Sequence, residues 1–216
     1  IIIGLGHLGG QTVVVVGQER GVPNNGMTSP EGFRKAQRAF RLASKFDLPV
    51  ITFIDTPGPN LSVDAEERGL GHTIATTMAT MTNLQTPSIS VLVGEGGSSG
   101  ALALGIADQI LMLEHATYSA ISPEHAAGLI FQDESRANEA AQSLRLTAAD
   151  CLELGIVDMI IPEPPGGSHT NPDEAARQVR RALLQVVSDL QSKSNRRLLK
   201  TRYRKFREIG QYSFYF

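Results

Sequence analysis

The stretch Val91-Leu92-Val93-Gly94-Glu95-Gly96-Gly97-Ser98-Ser99-Gly100-Ala101-Leu102-Ala103, VLVGEGGSSGALA, joins an apolar strand pattern to an apolar helix pattern through four glycines and two serines. Glycine loses more order on folding than other residues, so it is placed where backbone must come close to something or take a positive φ. Such a turn suits three tasks: cradling a phosphate, presenting a serine nucleophile, or aiming backbone amides at an acyl oxyanion. No lysine follows the glycines and the next helix is apolar, which argues against a phosphate loop.

Gly96-Gly97-Ser98-Ser99-Gly100 matches G-x-S-x-G, and Asp108 or Asp158 followed by His169 would complete a hydrolase triad by chain order. Against this, Gly94 and Glu95 are expected to separate the strand from the turn, and His169 lies in a proline-glycine loop. In the third reading the amides of Ser99, Gly100 and Ala101 stabilise charge directly, and no side-chain nucleophile is needed. One such donor is worth about 2.7–4 kcal/mol in a transition state. Ser98→Ala separates the two readings, and Gly100→Val is expected to block the amide site without unfolding the chain.

Outward from this stretch, apolar β-branched runs alternate with helical patterns, which predicts parallel strands covered by helices. Strands are expected at 12–16, 48–55, 87–93, 109–113, 118–121 and 157–161. Helices are expected at 30–46, about 65–84, 100–107, from Ser122-Pro123-Glu124, at 147–154, from Asn171, and over the basic tail about 195–210. Ser29-Pro30-Glu31 and Ser122-Pro123-Glu124 share one start signal: a cap, a proline at the first position and an acid at the positive end. The chain has 216 residues, 41% of them hydrophobic, and a formal net charge of -2, so one domain over 1–216 with a substantial core is expected.

This charge balance offers no general attraction to nucleic acid or to an acidic membrane. The tail carries Arg and Lys around Leu198, Leu199, Tyr203 and Phe206, a spacing that suits a subunit-contact helix better than an RNA surface. A single cysteine, Cys151, excludes an internal disulfide and fits a reducing, cytoplasmic setting. His115, His125 and His169 lack ligand spacing, so no metal is expected in this chain. The opening IIIGLGHLGG is too short and glycine-rich to span a bilayer, and its abrupt start suggests a piece of something longer.

Six segments, in order, resemble the carboxyltransferase α subunits of multi-subunit bacterial acetyl-CoA carboxylases: PEGFRKAQR (30–38), ITFIDTPG (51–58), AEERG (65–69), GEGGSSGALALG (94–105), TYSAISPE (117–124) and IIPEPPGGSHTNP (160–172). The resemblance implies a crotonase-like α/β fold, a spiral of repeated strand-strand-helix units with outer helices. It implies transfer of a carboxyl group from biotin, borne on a carrier protein and not attached to this chain, to acetyl-CoA, giving malonyl-CoA for fatty acid synthesis. The implied partners are a zinc-ribbon β subunit in an α2β2 assembly, the biotin carboxyl carrier protein, biotin carboxylase and the acyl-CoA. Cys151 alone cannot form that ribbon, so this chain matches the zinc-free subunit; besides the hydrolase, the remaining alternative is a non-catalytic structural subunit that only shapes a partner's active site.

Carried over by position, Ser99, Gly100 and Ala101 form one oxyanion wall, and Gly58 and Pro59 the facing one. Gly96, Gly97, Ser122 and Glu124 complete the implied substrate contacts. The chain departs from the family pattern at Pro59, which has no N–H, at Ser99 and His125, where smaller residues are usual, and in a shortened loop, VPNNGM (22–27).

Overall fold

A computed structural model describes residues 1–21 and 24–210; Val22 and Pro23 of the shortened loop fall outside the described residues. The chain opens with a hairpin. Strand β1 (Ile2–Leu8) pairs antiparallel with β2 (Gln11–Gly17), and the turn between them is Gly9-Gly10, with φ of 60° and 84°. Two consecutive positive φ values are what a two-residue hairpin turn requires, and glycine adopts them without a steric penalty. The opening segment is thus an edge strand, which the sequence reading did not assign.

From β2 the sheet continues in parallel through β3 (Val50–Thr56), β4 (Ser88–Gly97), β5 (Gln109–Leu113) and β7 (Met159–Ile161). The short β6 (Thr117–Ser119) leaves this order and pairs with the far end of β4. Val16, Val50, Ile54, Ile89, Val91 and Leu92 are fully buried, as expected of strands covered on both faces. Helix α1 (Pro30–Phe46) packs Phe33, Ala36, Phe40 and Ala43 inward at helical spacing and stops at Asp47, whose φ of 54° is left-handed. Each phenylalanine buried in this way contributes about 1.5–3 kcal/mol.

The helix expected over 65–84 is two helices, α2 (Val63–Glu67) and α3 (Leu70–Thr82), because Gly69 takes a φ of 81° between them. After α4 (Ser98–Gly105) and β6, α5 (Pro123–Phe131) pairs with α6 (Ala137–Leu144) around Ala126, Ala127 and Ala140, a small separate core. Helix α7 (Ala148–Glu153) is capped by Thr147, whose side chain accepts from the Asp150 amide. Two long helices, α8 (Pro172–Gln191) and α9 (Asn195–Glu208), complete the described chain. No helix among the described residues is long and apolar enough to cross a membrane.

Helix α9 is pinned by a charge. Arg202 is 1% exposed, and its guanidinium donates to the carbonyls of Met81 and Leu84 at 2.9 and 2.8 Å and to both carboxylate oxygens of Asp108. Asp108 also accepts from the amide and hydroxyl of Ser88, each at 2.9 Å. A buried ion pair is tolerated when its remaining hydrogen-bonding positions are filled in this way. Leu198 is buried beside it while Tyr203 stays exposed, so one face of the basic helix packs on the core.

Candidate active site

Strand β4 runs unbroken to Gly97 and α4 begins at Ser98. The expected spacer is therefore absent: Gly94 and Glu95 belong to the strand. They lie at a bulge, where the register moves from Ile54 opposite Leu92 to Thr56 opposite Gly96. The Asp55 carboxylate fills the break, accepting the Glu95 amide at 3.0 Å. A Cβ on Gly94 would stand 2.6 Å from that carboxylate, so the position takes no side chain. Arg20 spans the rim, donating to Asp55 at 2.9 Å and to Glu95 at 2.8 Å. All three groups are partly exposed, so solvent screening keeps the energetic gain modest.

The two walls implied by the sequence meet backbone on backbone. A Cβ on Gly97 would lie 2.1 Å from the Pro57 carbonyl oxygen, and one on Gly100 would lie 2.7 Å from the Gly58 carbonyl carbon and 2.8 Å from the Pro59 nitrogen. A valine at 100 would thus wedge the walls apart, which overturns the expectation of a block that leaves the fold untouched. Gly58 and Pro59 are buried in this contact and present no main-chain donor. The Gly58 amide donates to Thr56 Oγ1 at 3.0 Å, Pro59 has no N–H, and the Asn60 amide donates to the Thr28 carbonyl at 3.0 Å.

Donors are left at the start of α4. With Gly97 as N-cap and no capping side chain, the amides of Ser98, Ser99 and Gly100 have no intrahelical acceptor, whereas that of Ala101 closes the first turn. Gly100 and Ala101 are buried, while Ser98 and Ser99 line two adjoining clefts. Of the three amides expected as one wall, Ser99 alone meets a cleft. Ser98 joins it, held at a φ of 51° by the strand-to-helix turn.

The smaller cleft, about 120 Å³, brings together Gly96, Gly97, Ser98, Ser119 and Ser122 beside Pro57. The larger, about 520 Å³, passes from Ser98 and Ser99 between Leu102, Tyr118, Ile156 and Phe206. Ser122 caps α5, accepting the His125 amide at 3.3 Å, with its Oγ 2.9 Å from His125 Nδ1. Glu124, in the same turn, is exposed and lines neither cleft. Burial pushes the Tyr118 phenol up to about 12, which keeps it protonated beside the larger cleft.

The hydrolase triad is not assembled. Asp108 is engaged by Arg202, and Asp158 accepts from the Ile110 amide at 2.7 Å and pairs with Lys205. His169 lies against Gly167 in the loop before α8. The donor turn itself was legible in the glycines. The Asp55 plug and the Arg20 bridge were not, since their partners lie 35 to 75 residues apart.

Comparison with known proteins gives the family and the fold. The family model "Acetyl co-enzyme A carboxylase carboxyltransferase-like" matches residues 1–210. An acetyl-coenzyme A carboxylase carboxyl transferase subunit alpha from Thermus thermophilus is 46% identical, over 99% of this chain and 70% of that protein. In Salinispora arenicola the similar protein is a single polypeptide, subunits beta/alpha, 46% identical over 97% of this chain and 38% of its own length. The transcarboxylase 12S structure with methylmalonyl-coenzyme A superposes with a TM-score of 0.77 at 20% identity, over 88% of this chain and 36% of that one. The fold is therefore the crotonase-like one of carboxyltransferases, and the chain belongs to the acetyl-CoA carboxylase carboxyltransferase family, with the α subunits among its relatives.

Proposed function

We propose that this carboxyltransferase moves a carboxyl group from biotin, held on a carrier protein, to acetyl-CoA, and that the Ser98 and Ser99 amides hold the oxyanion that develops. The observation that carries the reading is an uncapped helix N-terminus opening on a cleft whose described lining has no carboxylate, imidazole or amine. Tyr118, the titratable group there, stays protonated, so the cleft supplies donors and no base. Fixed N–H dipoles in a cleft that excludes water stabilise negative charge without reorganising. The helix dipole of α4 adds to them.

Biotin fits the arrangement, because a cleft of about 520 Å³ with apolar walls and amide donors at one end suits a bicyclic ring bearing a polar ureido group. When bound it supplies the carboxyl group and a proton acceptor. Gly96, Gly97 and Ser122 shape the smaller cleft; Gly58 and Pro59 support the donor turn from behind.

A β subunit completes the site in this reading, together with the carrier protein and biotin carboxylase, in the cytoplasm. The fused Salinispora relative supports a β partner. Exposed Leu129 and Ile130 on α5 and Tyr203 on α9 are the proposed contact surfaces. The test is to purify the chain with its β subunit and measure biotin-dependent carboxyl transfer over a series of acyl-CoAs. Transfer to acetyl-CoA that survives Ser98→Ala supports the reading. Absence of transfer, or thioester hydrolysis that disappears with Ser98→Ala, refutes it.

A further inference from the structure

Gln18 follows β2 at the edge of the site and bonds to both walls. Its Oε1 accepts the Asp55 amide at 3.2 Å, and its Nε2 donates to the Gly100 carbonyl at 3.1 Å and to Thr28 Oγ1 at 3.2 Å. The amide orientation is fixed by these partners: reversed, it would set an acceptor against the Gly100 carbonyl and a donor against the Asp55 N–H. Thr28 extends the connection, since its carbonyl accepts the Asn60 amide at 3.0 Å and it forms a β-bridge to Pro59. One side chain therefore ties the ends of β2 and β3, the loop to Asn60, and the first turn of α4.

We infer that Gln18 is a positioning residue that sets the aim of the Ser98 and Ser99 amides by holding Gly100 against the Asp55–Asn60 wall. The inference rests on the reading of that turn as the oxyanion site. The walls touch through Gly97, Gly100, Gly58 and Pro59, none of which has a hydrogen-bonding side chain, and the side chains of Thr52 and Ser90 hold α4 only at its far end, donating to the Leu104 carbonyl at 2.9 and 2.7 Å. The Gly100 carbonyl lies next to the donor turn, and the bond to it from Gln18 holds that near end of the helix in place. Amide donors tolerate little error, because a misplacement of about 1 Å can cost on the order of 100-fold in rate.

Two variants test this in the complete carboxyltransferase complex. Gln18→Met keeps the length and removes every hydrogen bond; Gln18→Glu keeps the acceptor for Asp55 but cannot donate to Gly100. Both are expected to lower kcat by about 10- to 100-fold while the KM for acyl-CoA moves by less than about threefold, the pattern of an interaction that matters in the transition state. A loss carried by KM, or a Gln18→Glu enzyme with wild-type kcat, overturns the inference.

Hydrogen exchange gives a readout independent of turnover. In Gln18→Met, peptides covering 56–61 and 98–104 should exchange about tenfold faster together, with α1 unchanged, as expected when bonds joining two segments are lost. Unchanged exchange in both segments overturns the inference. Coupled exchange in a complex that transfers no carboxyl group would sink the proposed function and leave the clamp standing.

Discussion

Arg202 and Asp108, 94 residues apart in sequence, meet as a fork: Nε to Oδ1 at 3.0 Å and Nη2 to Oδ2 at 2.6 Å. The pair lies where α9 crosses the end of α3 and the turn between α4 and β5, so it fastens the last described helix to the element that carries the donor turn. The same helix supplies Phe206 to the larger cleft. Stability and site shape are coupled through this contact.

Removing one partner leaves the other as an unpaired buried charge. Asp108→Asn or Arg202→Met should each destabilise by about 3–5 kcal/mol, which lowers the unfolding temperature of a chain this size by about 10 °C. The double change Asp108→Asn with Arg202→Met should lose less than the two single losses summed. Thermal unfolding of the three variants measures this, and strict additivity would show that the fork has no coupling energy.

Gly97→Ala and Gly100→Ala both place a Cβ against the backbone of the Thr56–Pro59 loop. Overpacking of this kind costs about 1–3 kcal/mol. Carboxyl transfer should fall by roughly 100-fold, more than the loss of folded protein explains, because the donor turn is displaced. Soluble, folded Gly100→Ala with full activity would contradict the interlock. Circular dichroism and turnover on the same samples decide.

Ser98→Ala should keep carboxyl transfer within about threefold, because the hydroxyl has no His or carboxylate partner among the described residues and the amide remains. Ser98→Gly should be at least as stable as the wild type, since a left-handed φ costs a non-glycine residue about 1–2 kcal/mol. Denaturant titration of the pair of variants, with assays alongside, checks both statements.

Desolvation pushes the Cys151 thiol from its ordinary 9.0 to about 11. A raised acid contributes stability that is fully present below pH 9 and lost as pH rises through about 11, because the unfolded chain releases the proton first. Tyr118, raised from 10.0 to about 12, acts in the same direction in the next pH interval. Replacing Cys151 by alanine should flatten the decline between pH 9 and 11, measured by denaturation midpoints. The native thiol should resist alkylation at neutral pH and react at once when the chain is unfolded.

Much of the fold was legible because strands covered on both faces read as apolar runs: Val13–Val16, Val50–Ile54 and Ile89–Leu92, broken only by Thr52 and Ser90, need no tertiary context. The first strand was missed for a physical reason. Ile2 and Leu5 face solvent and Gly4 and Gly6 dilute the pattern, so composition masks the pairing; Gly9-Gly10 was the signal that would have revealed it. The split at Gly69 was readable in principle, since a glycine inside a helical run marks a stop. At the site, the glycines announced a close approach without saying to what. Only the coordinates show that Gly100 meets Gly58 and Pro59, and that Ala101, inside the first turn, has no amide to offer. Gln18 carries no motif at all, and its role depends on partners 37 and 82 residues away.

The close seam of Gly97 and Gly100 against Pro57–Pro59 has a consequence for how the cleft can be reshaped. A side chain added at Gly97 or Gly100 would push the walls apart and carry the donor turn with it, so reshaping the hollow has to be done from its other elements, at Ala120, Ile156 or Phe206. Fit and catalysis would then rest on separate elements, and a library confined to those three positions could alter the first while sparing the second.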